Sequence, residues 1–132
     1  MISYRFFMSF WVLVPIFCLS GCGPKADYAI VPIEGVASYN GAPLPDSCSL
    51  TFTVGEHRAS LGRIGAGGAF KTVHTPEIKG VPVGKAKVRV TWDAQGDPPG
   101  EYKELFAKYG YDSEGLEIEI TKPDKTLRVE FP

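Results

Sequence analysis

The residues with the clearest chemistry are Leu19-Ser20-Gly21-Cys22, set directly behind an apolar run. Small residues before a cysteine suit a signal peptidase that cuts ahead of the thiol and leaves it to carry lipid. Upstream lie one basic residue, Arg5, and an apolar stretch from Phe6 to Cys18 broken only by Ser9 and Pro15. That stretch falls short of the roughly 20 residues a bilayer-spanning helix needs, and it suits a signal-peptide h-region. The order of h-region, small pair and cysteine reads as a bacterial lipobox. Residues 1–21 are then a lipoprotein signal peptide and 22–32 a lipidated cysteine with its tether. A thioether-linked diacylglycerol on Cys22 and an acyl group on the new amine, chains of the palmitate class, give two or three hydrocarbon chains. At about 0.8 kcal/mol per buried CH₂, more than one chain holds a protein stably on a membrane. Gly23 carries no inner-membrane retention charge, so the expected location is the cell envelope, with a lean to the outer membrane.

The remaining residues offer little further chemistry. His57 and His74 are the two histidines. A Ser/His/Asp arrangement could be composed from His74, Asp93 and a serine, but no nucleophile-elbow spacing supports it. No Cys/His pair has zinc spacing. Asp93, Asp97 and Glu101 could offer oxygens to calcium, yet they lack the alternation and central glycine of a calcium loop, so no metal or cofactor is expected. Gly62 to Gly68 has no Gly-Lys-Ser/Thr ending and no helix after it, which argues against a phosphate cradle. Removing the signal leaves 13 basic against 15 acidic residues, a net charge of −2 with no basic run, and nucleic acid is not an expected partner. With Cys18 lost and Cys22 acylated, Cys48 has no intramolecular partner. Alternation with Leu50 and Phe52 puts it on their buried face as a small hydrophobe. Trp92, Tyr102, Tyr109 and Tyr111 lie in or beside one insert, where aromatic faces can stack on sugar rings or form a protein hot spot. The plainer account is that they fill the core and cover a sheet edge.

Positioning these groups falls to short strands. Ile33 to Tyr39 is a first strand, closed by the turn dipeptide Asn40-Gly41. Pro43 and Pro45 keep the next stretch extended and unpaired. Leu50, Phe52 and Val54 alternate with polar neighbours, Gly65 to Gly68 is a turn, and Ala69 to His74 a strand after it. Lys85 to Trp92 alternates cleanly, Ala86, Val88, Val90 and Trp92 on one face and Lys85, Lys87, Arg89 and Thr91 on the other, so one face is buried and the other wet. Leu116 to Ile120 and Leu127 to Phe131 repeat the pattern, and Lys122-Pro123-Asp124-Lys125 between them predicts a closing hairpin. Glu101 to Tyr109 has helical spacing. The sum is an all-β chain: an antiparallel β-sandwich of seven strands (six to eight) with one short helix near 101–109.

Three blocks carry a resemblance: Ile33-Glu34-Gly35-Val36-Ala37-Ser38-Tyr39-Asn40-Gly41-Ala42-Pro43-Leu44-Pro45, then Gly65 to Phe70, then Val81-Pro82-Val83-Gly84-Lys85-Ala86-Lys87-Val88. Together they resemble the carboxypeptidase regulatory-like domain, a transthyretin-like (prealbumin-like) sandwich, over residues 33–132. With the lipobox, the chain is similar to small lipoproteins of planctomycete-type bacteria. Gly65 stands where that family has an aspartate, and Ala86 where an aromatic is common. The resemblance implies a non-enzymatic module that binds an envelope protein or serves a structural role. A carbohydrate-binding module using the 92–111 aromatics is the alternative, an envelope polysaccharide then being the partner. A hydrolase comes third. The transthyretin-like purine-pathway hydrolase is excluded by the ending Glu130-Phe131-Pro132, which lacks that enzyme's Tyr-Arg-Gly-Ser.

Overall fold

A computed structural model describes residues 28–132. The Leu19–Cys22 motif and the signal segment lie outside the described residues. The chain runs β1 (Ile30–Val31), β2 (Ile33–Tyr39), β3 (Ala42–Pro43), β4 (Cys48–Val54), β5 (Ser60–Ile64), a 3₁₀ turn at Ala66–Gly68, β6 (Ala69–Val73), β7 (Val81–Pro82) and β8 (Gly84–Trp92). A 3₁₀ turn at Gly100–Tyr102 then leads into α1 (Lys103–Tyr109), followed by β9 (Leu116–Ile120) and β10 (Asp124–Phe131). The fold is all-β and sandwich-like, mostly antiparallel, with the one short helix that the spacing at 101–109 predicts.

One curled sheet carries the strands in the order β10-β2-β6-β5-β4-β8-β9. Period-2 alternation sorts its faces. Cys48, Leu50, Phe52 and Val54 of β4 and Ala86, Val88 and Val90 of β8 turn inward, where Ile33, Phe70, Val129 and Phe131 meet them. The helix lies against β8 and spans the open side of the curl: Leu105 is fully buried, Tyr102 packs against Tyr39 at 6.2 Å, and Tyr109 against Phe131 at 5.1 Å between ring centroids. Burying one medium-to-large apolar side chain is worth about 1.5–3 kcal/mol, so this inward face is the chief source of stability.

Four connections differ from the sequence reading. Ala42-Pro43 is paired, not free: Asn40 and Gly41 both take positive φ (51° and 81°), and the tight turn folds β3 back on β2 with Tyr39 opposite Ala42. Proline is tolerated there because β3 is a two-residue edge. Residues 30–31 of the expected tether form β1, paired with β7. Ser60–Ile64 is a full strand that no alternation announced. The expected closing hairpin does not form: β9 pairs with β8, whereas β10 crosses to lie parallel to β2, with Leu127 opposite Gly35 and Arg128 opposite Val36.

That parallel pairing depends on Gly35. A Cβ built there would overlap the Leu127 carbonyl oxygen, next to the register shift between Asp124 and Leu127. No side chain can give way, because the obstacle is backbone. Gly35→Ala is therefore expected to cost about 4 kcal/mol, at the severe end for a point substitution. Thermal unfolding should show Tm lowered by more than about 10 °C. An unchanged Tm would show that β10 does not seat as described.

Candidate functional site

Two clusters and one sheet face hold the polar groups that could act. In the first cluster His74, 4% exposed, follows β6. Its Nδ1 lies 2.8 Å from the Ser60 hydroxyl of β5 and its Nε2 2.6 Å from the Tyr28 hydroxyl. Tyr28 also stacks on His57, ring centroids 3.8 Å apart at 21°. With a hydroxyl on each side, either neutral tautomer is satisfied, one nitrogen donating and the other accepting. Burial, then the nearby charges of Arg58 and His57, holds the His74 pKa below its ordinary 6.5. The ring sits neutral and enclosed between its two partners. Ser60, the hydroxyl beside it, is itself fully buried.

The serine–histidine contact is thus a polar plug in the core, without the geometry of a nucleophile site. Both ring nitrogens are occupied by hydroxyls, and no carboxylate among the described residues orients the ring. Asp93, the acid that the sequence could pair with His74, lies past the end of β8, where its N–H bonds the Ser47 carbonyl at 2.8 Å. Sequence reasoning missed the role of Tyr28 because it stands in the segment read as tether.

The second cluster is aromatic. Trp92, Tyr102 and Tyr109 are partly buried and pack on the core, as does Phe106, whose ring meets Trp92 edge-on at 79°. Tyr111 is 83% exposed. Of the four candidates for stacking on a sugar, only Tyr111 is fully exposed, and Trp92 lines a shallow hollow beside it. The plainer account of these rings as core and edge cover matches their packing. The indole N–H of Trp92 is buried with no acceptor among the described residues.

Cys48, 1% exposed, lies on the inner face with Leu50 and Phe52, as alternation predicts. Burial and the Asp93 carboxylate push its thiol up to about 11. Asp93, Asp97 and Glu101 are all exposed. No group of three or more His, Cys, Asp or Glu side chains is gathered for a metal among the described residues, and no described helix is long and apolar enough to cross a membrane.

The feature that sequence reasoning missed is a groove of about 710 Å³ on the outer face of the sheet. Arg63 of β5, Lys71 of β6, and Lys125 and Arg128 of β10 line it, with Glu34 of β2 as its one carboxylate. Strand register assembles it: Glu34 is opposite Lys71, and Lys71 is opposite Arg63. The only signal in the sequence is that Lys71 and Arg63 alternate with inward residues.

The chain matches no protein-family model, no curated protein and no solved structure. The three blocks quoted from the sequence fall on β2 and β3, on the turn into β6, and on β7 and β8.

Two outcomes follow from these sites. Cys48 in the folded protein should resist iodoacetamide at pH 8 and react once the chain is unfolded in denaturant; equal rates would contradict its burial. His74 has a folded pKa lower than its unfolded one, so the folded state binds fewer protons and its advantage is complete above about pH 6.5. That advantage is lost as pH falls from there through the depressed folded value. Denaturant midpoints should therefore drop with acidification below pH 6.5 more steeply in the native protein than in His74→Gln, and parallel profiles would show that His74 is not the group.

Proposed function

We propose that this chain is a lipid-anchored, non-enzymatic module of the cell envelope whose β-sandwich presents a binding face to a partner. The observation that carries it is the Leu19-Ser20-Gly21-Cys22 motif, placed behind its apolar run and six residues before Tyr28. Six extended residues reach about 20 Å, so lipid on Cys22 holds the domain close against the membrane surface. β1 and Tyr28 are bonded into the domain, which leaves the tether short.

A binding role is supported by what the interior does with its reactive groups. The His74–Ser60 pair is enclosed, the Cys48 thiol is protonated and buried, and the accessible polar groups lie on the sheet face and in loops. The resemblance of residues 33–132 to the carboxypeptidase regulatory-like domain points the same way, and on that reading the partner is an envelope protein or polymer. Fold-level likeness cannot name it.

In cells fed a labelled fatty acid, the native chain should incorporate label and run at its processed size. Cys22→Ala should lose the label and accumulate as uncleaved precursor. Normal processing of that variant would overturn the anchor.

A further inference from the structure

The outer face of the sheet keeps its cations in two different conditions. On β8 they are matched. Lys85 lies 3.7 Å from Glu117 and Lys87 3.0 Å from Glu114, while Arg89 Nε donates to the Ser113 carbonyl at 2.7 Å. Around the groove they are not: among the described residues Arg63, Lys71, Lys125 and Arg128 form no ion pair. Lys71 and Arg63 stand directly opposite one another, an arrangement of like charges that destabilises a sheet. Glu34 cannot balance four cations. Of the nearest other acids, Glu130 shares the neighbouring hollow with Arg128 without forming an ion pair, and Asp124 accepts bonds from the N–H and hydroxyl of Thr126. Among the described residues the groove keeps an excess of positive charge, which suits an anion from outside.

The same face also exposes aliphatic side chains. Val36, Leu61 and Val73 are 44%, 54% and 40% exposed. Leu61 is the register partner of Val73, and Val36 that of Arg128. Cations interspersed with exposed aliphatics suit a phospholipid headgroup layer, where phosphates meet the charges and the aliphatics reach the acyl boundary. A soluble anion would have no use for the aliphatics. Position agrees with this. Pro32 links β1 to β2, its carbonyl accepts the Asp124 N–H at 3.0 Å, and Lys125 is the next residue. Lys125 thus lines the groove beside the start of β2, and the groove runs from there towards Gly65 and Ala69 at the β5–β6 turn.

We propose that this face of β10, β2, β6 and β5 lies against anionic phospholipid, with Arg63, Lys71, Lys125 and Arg128 on headgroup phosphates and Val36, Leu61 and Val73 at headgroup depth. Taking that lipid to be the membrane that holds Cys22 rests on the anchor reading above. The lipid fixes the distance of the domain, and the face fixes its orientation.

The test uses the mature lipoprotein reconstituted into vesicles of phosphatidylcholine, with or without phosphatidylglycerol. Surface amines are acylated and the lysines read by mass spectrometry. Each cation near an anionic surface strengthens its binding about fivefold. Lys71 and Lys125 should be labelled at least about fivefold less in the anionic vesicles, with recovery at high salt, while Lys103 and Lys108 of α1 stay unchanged. The double variant Arg63→Gln/Arg128→Gln, altered only at exposed positions, should regain labelling at Lys71. Equal labelling in the two vesicle types would overturn the proposal. So would protection in neutral vesicles on adding inorganic phosphate or polyglutamate, which would assign the groove to a free anion or an acidic polypeptide. The mass of the purified chain tests the anchor separately. If Cys22 carries no lipid, co-sedimentation of the chain with the same vesicles still decides the face.

Discussion

The close passage of the Leu127 carbonyl over Gly35 is the constraint on which the rest of the molecule depends. Without a Cβ at that position, β10 can lie along β2 and occupy an edge that would otherwise present unpaired N–H and C=O groups. Its seating carries Val129 and Phe131 into the core, sets Phe131 beneath Tyr109, and lets the Asn40 N–H reach the Phe131 carbonyl at 3.1 Å. The helix then has a surface to cover, and the curl closes. The same strand delivers Lys125 and Arg128 to the outer face. One absent methyl group thus underlies both the core and the charged groove.

The two faces of the sheet solve opposite problems. Inside, polar groups are few and nearly all are answered: Thr72 donates to the Ile33 carbonyl at 2.7 Å, and His74 is held between two hydroxyls. A buried imidazole with both nitrogens satisfied avoids the cost of an unpaired polar atom, and its low proton affinity follows from the same enclosure. Outside, charges are exposed and the question is whether they are paired. Those on β8 are answered, Lys85 and Lys87 by acids of β9 and the loop before it and Arg89 by the Ser113 carbonyl. Those on β5, β6 and β10 have no ion pair among the described residues. Exposed pairs contribute little to stability, so this asymmetry matters for what the face attracts rather than for folding.

Local patterns in the sequence were good guides where the cause of structure is local. The first strand ends at Tyr39 because Asn40-Gly41 adopts the left-handed turn those residues favour. Lys85 to Trp92 alternates because it has one wet and one dry side, and Cys48 follows Leu50 and Phe52 inward. β5 escaped notice for a physical reason: its inward residues are Ser60, Gly62 and Ile64, and an apolar Leu61 points out, so the usual contrast is reversed. Gly62 is small because the rings of Phe70 and Phe52 lie 3.2 and 3.5 Å from where its Cβ would be. The partner of β10 could not be read, because a nearby turn suggests a hairpin and nothing local encodes a crossing to β2. The groove and the Tyr28–His74 bond share that cause. Both are made by residues distant in sequence and adjacent only through register.

Pairing the first long strand with the last has a kinetic side. β2 (Ile33–Tyr39) is synthesised well before its parallel neighbour β10 (Asp124–Phe131), so the sheet stays incomplete until β10 is available. Parallel contacts between distant segments form slowly, since the loop between them must be ordered before the contact repays it. Until then β2 offers an open edge and the core lacks Val129 and Phe131, which leaves the nascent chain pliable and exposed to mispairing. A sheet built this way stays unfinished until β10 has found β2.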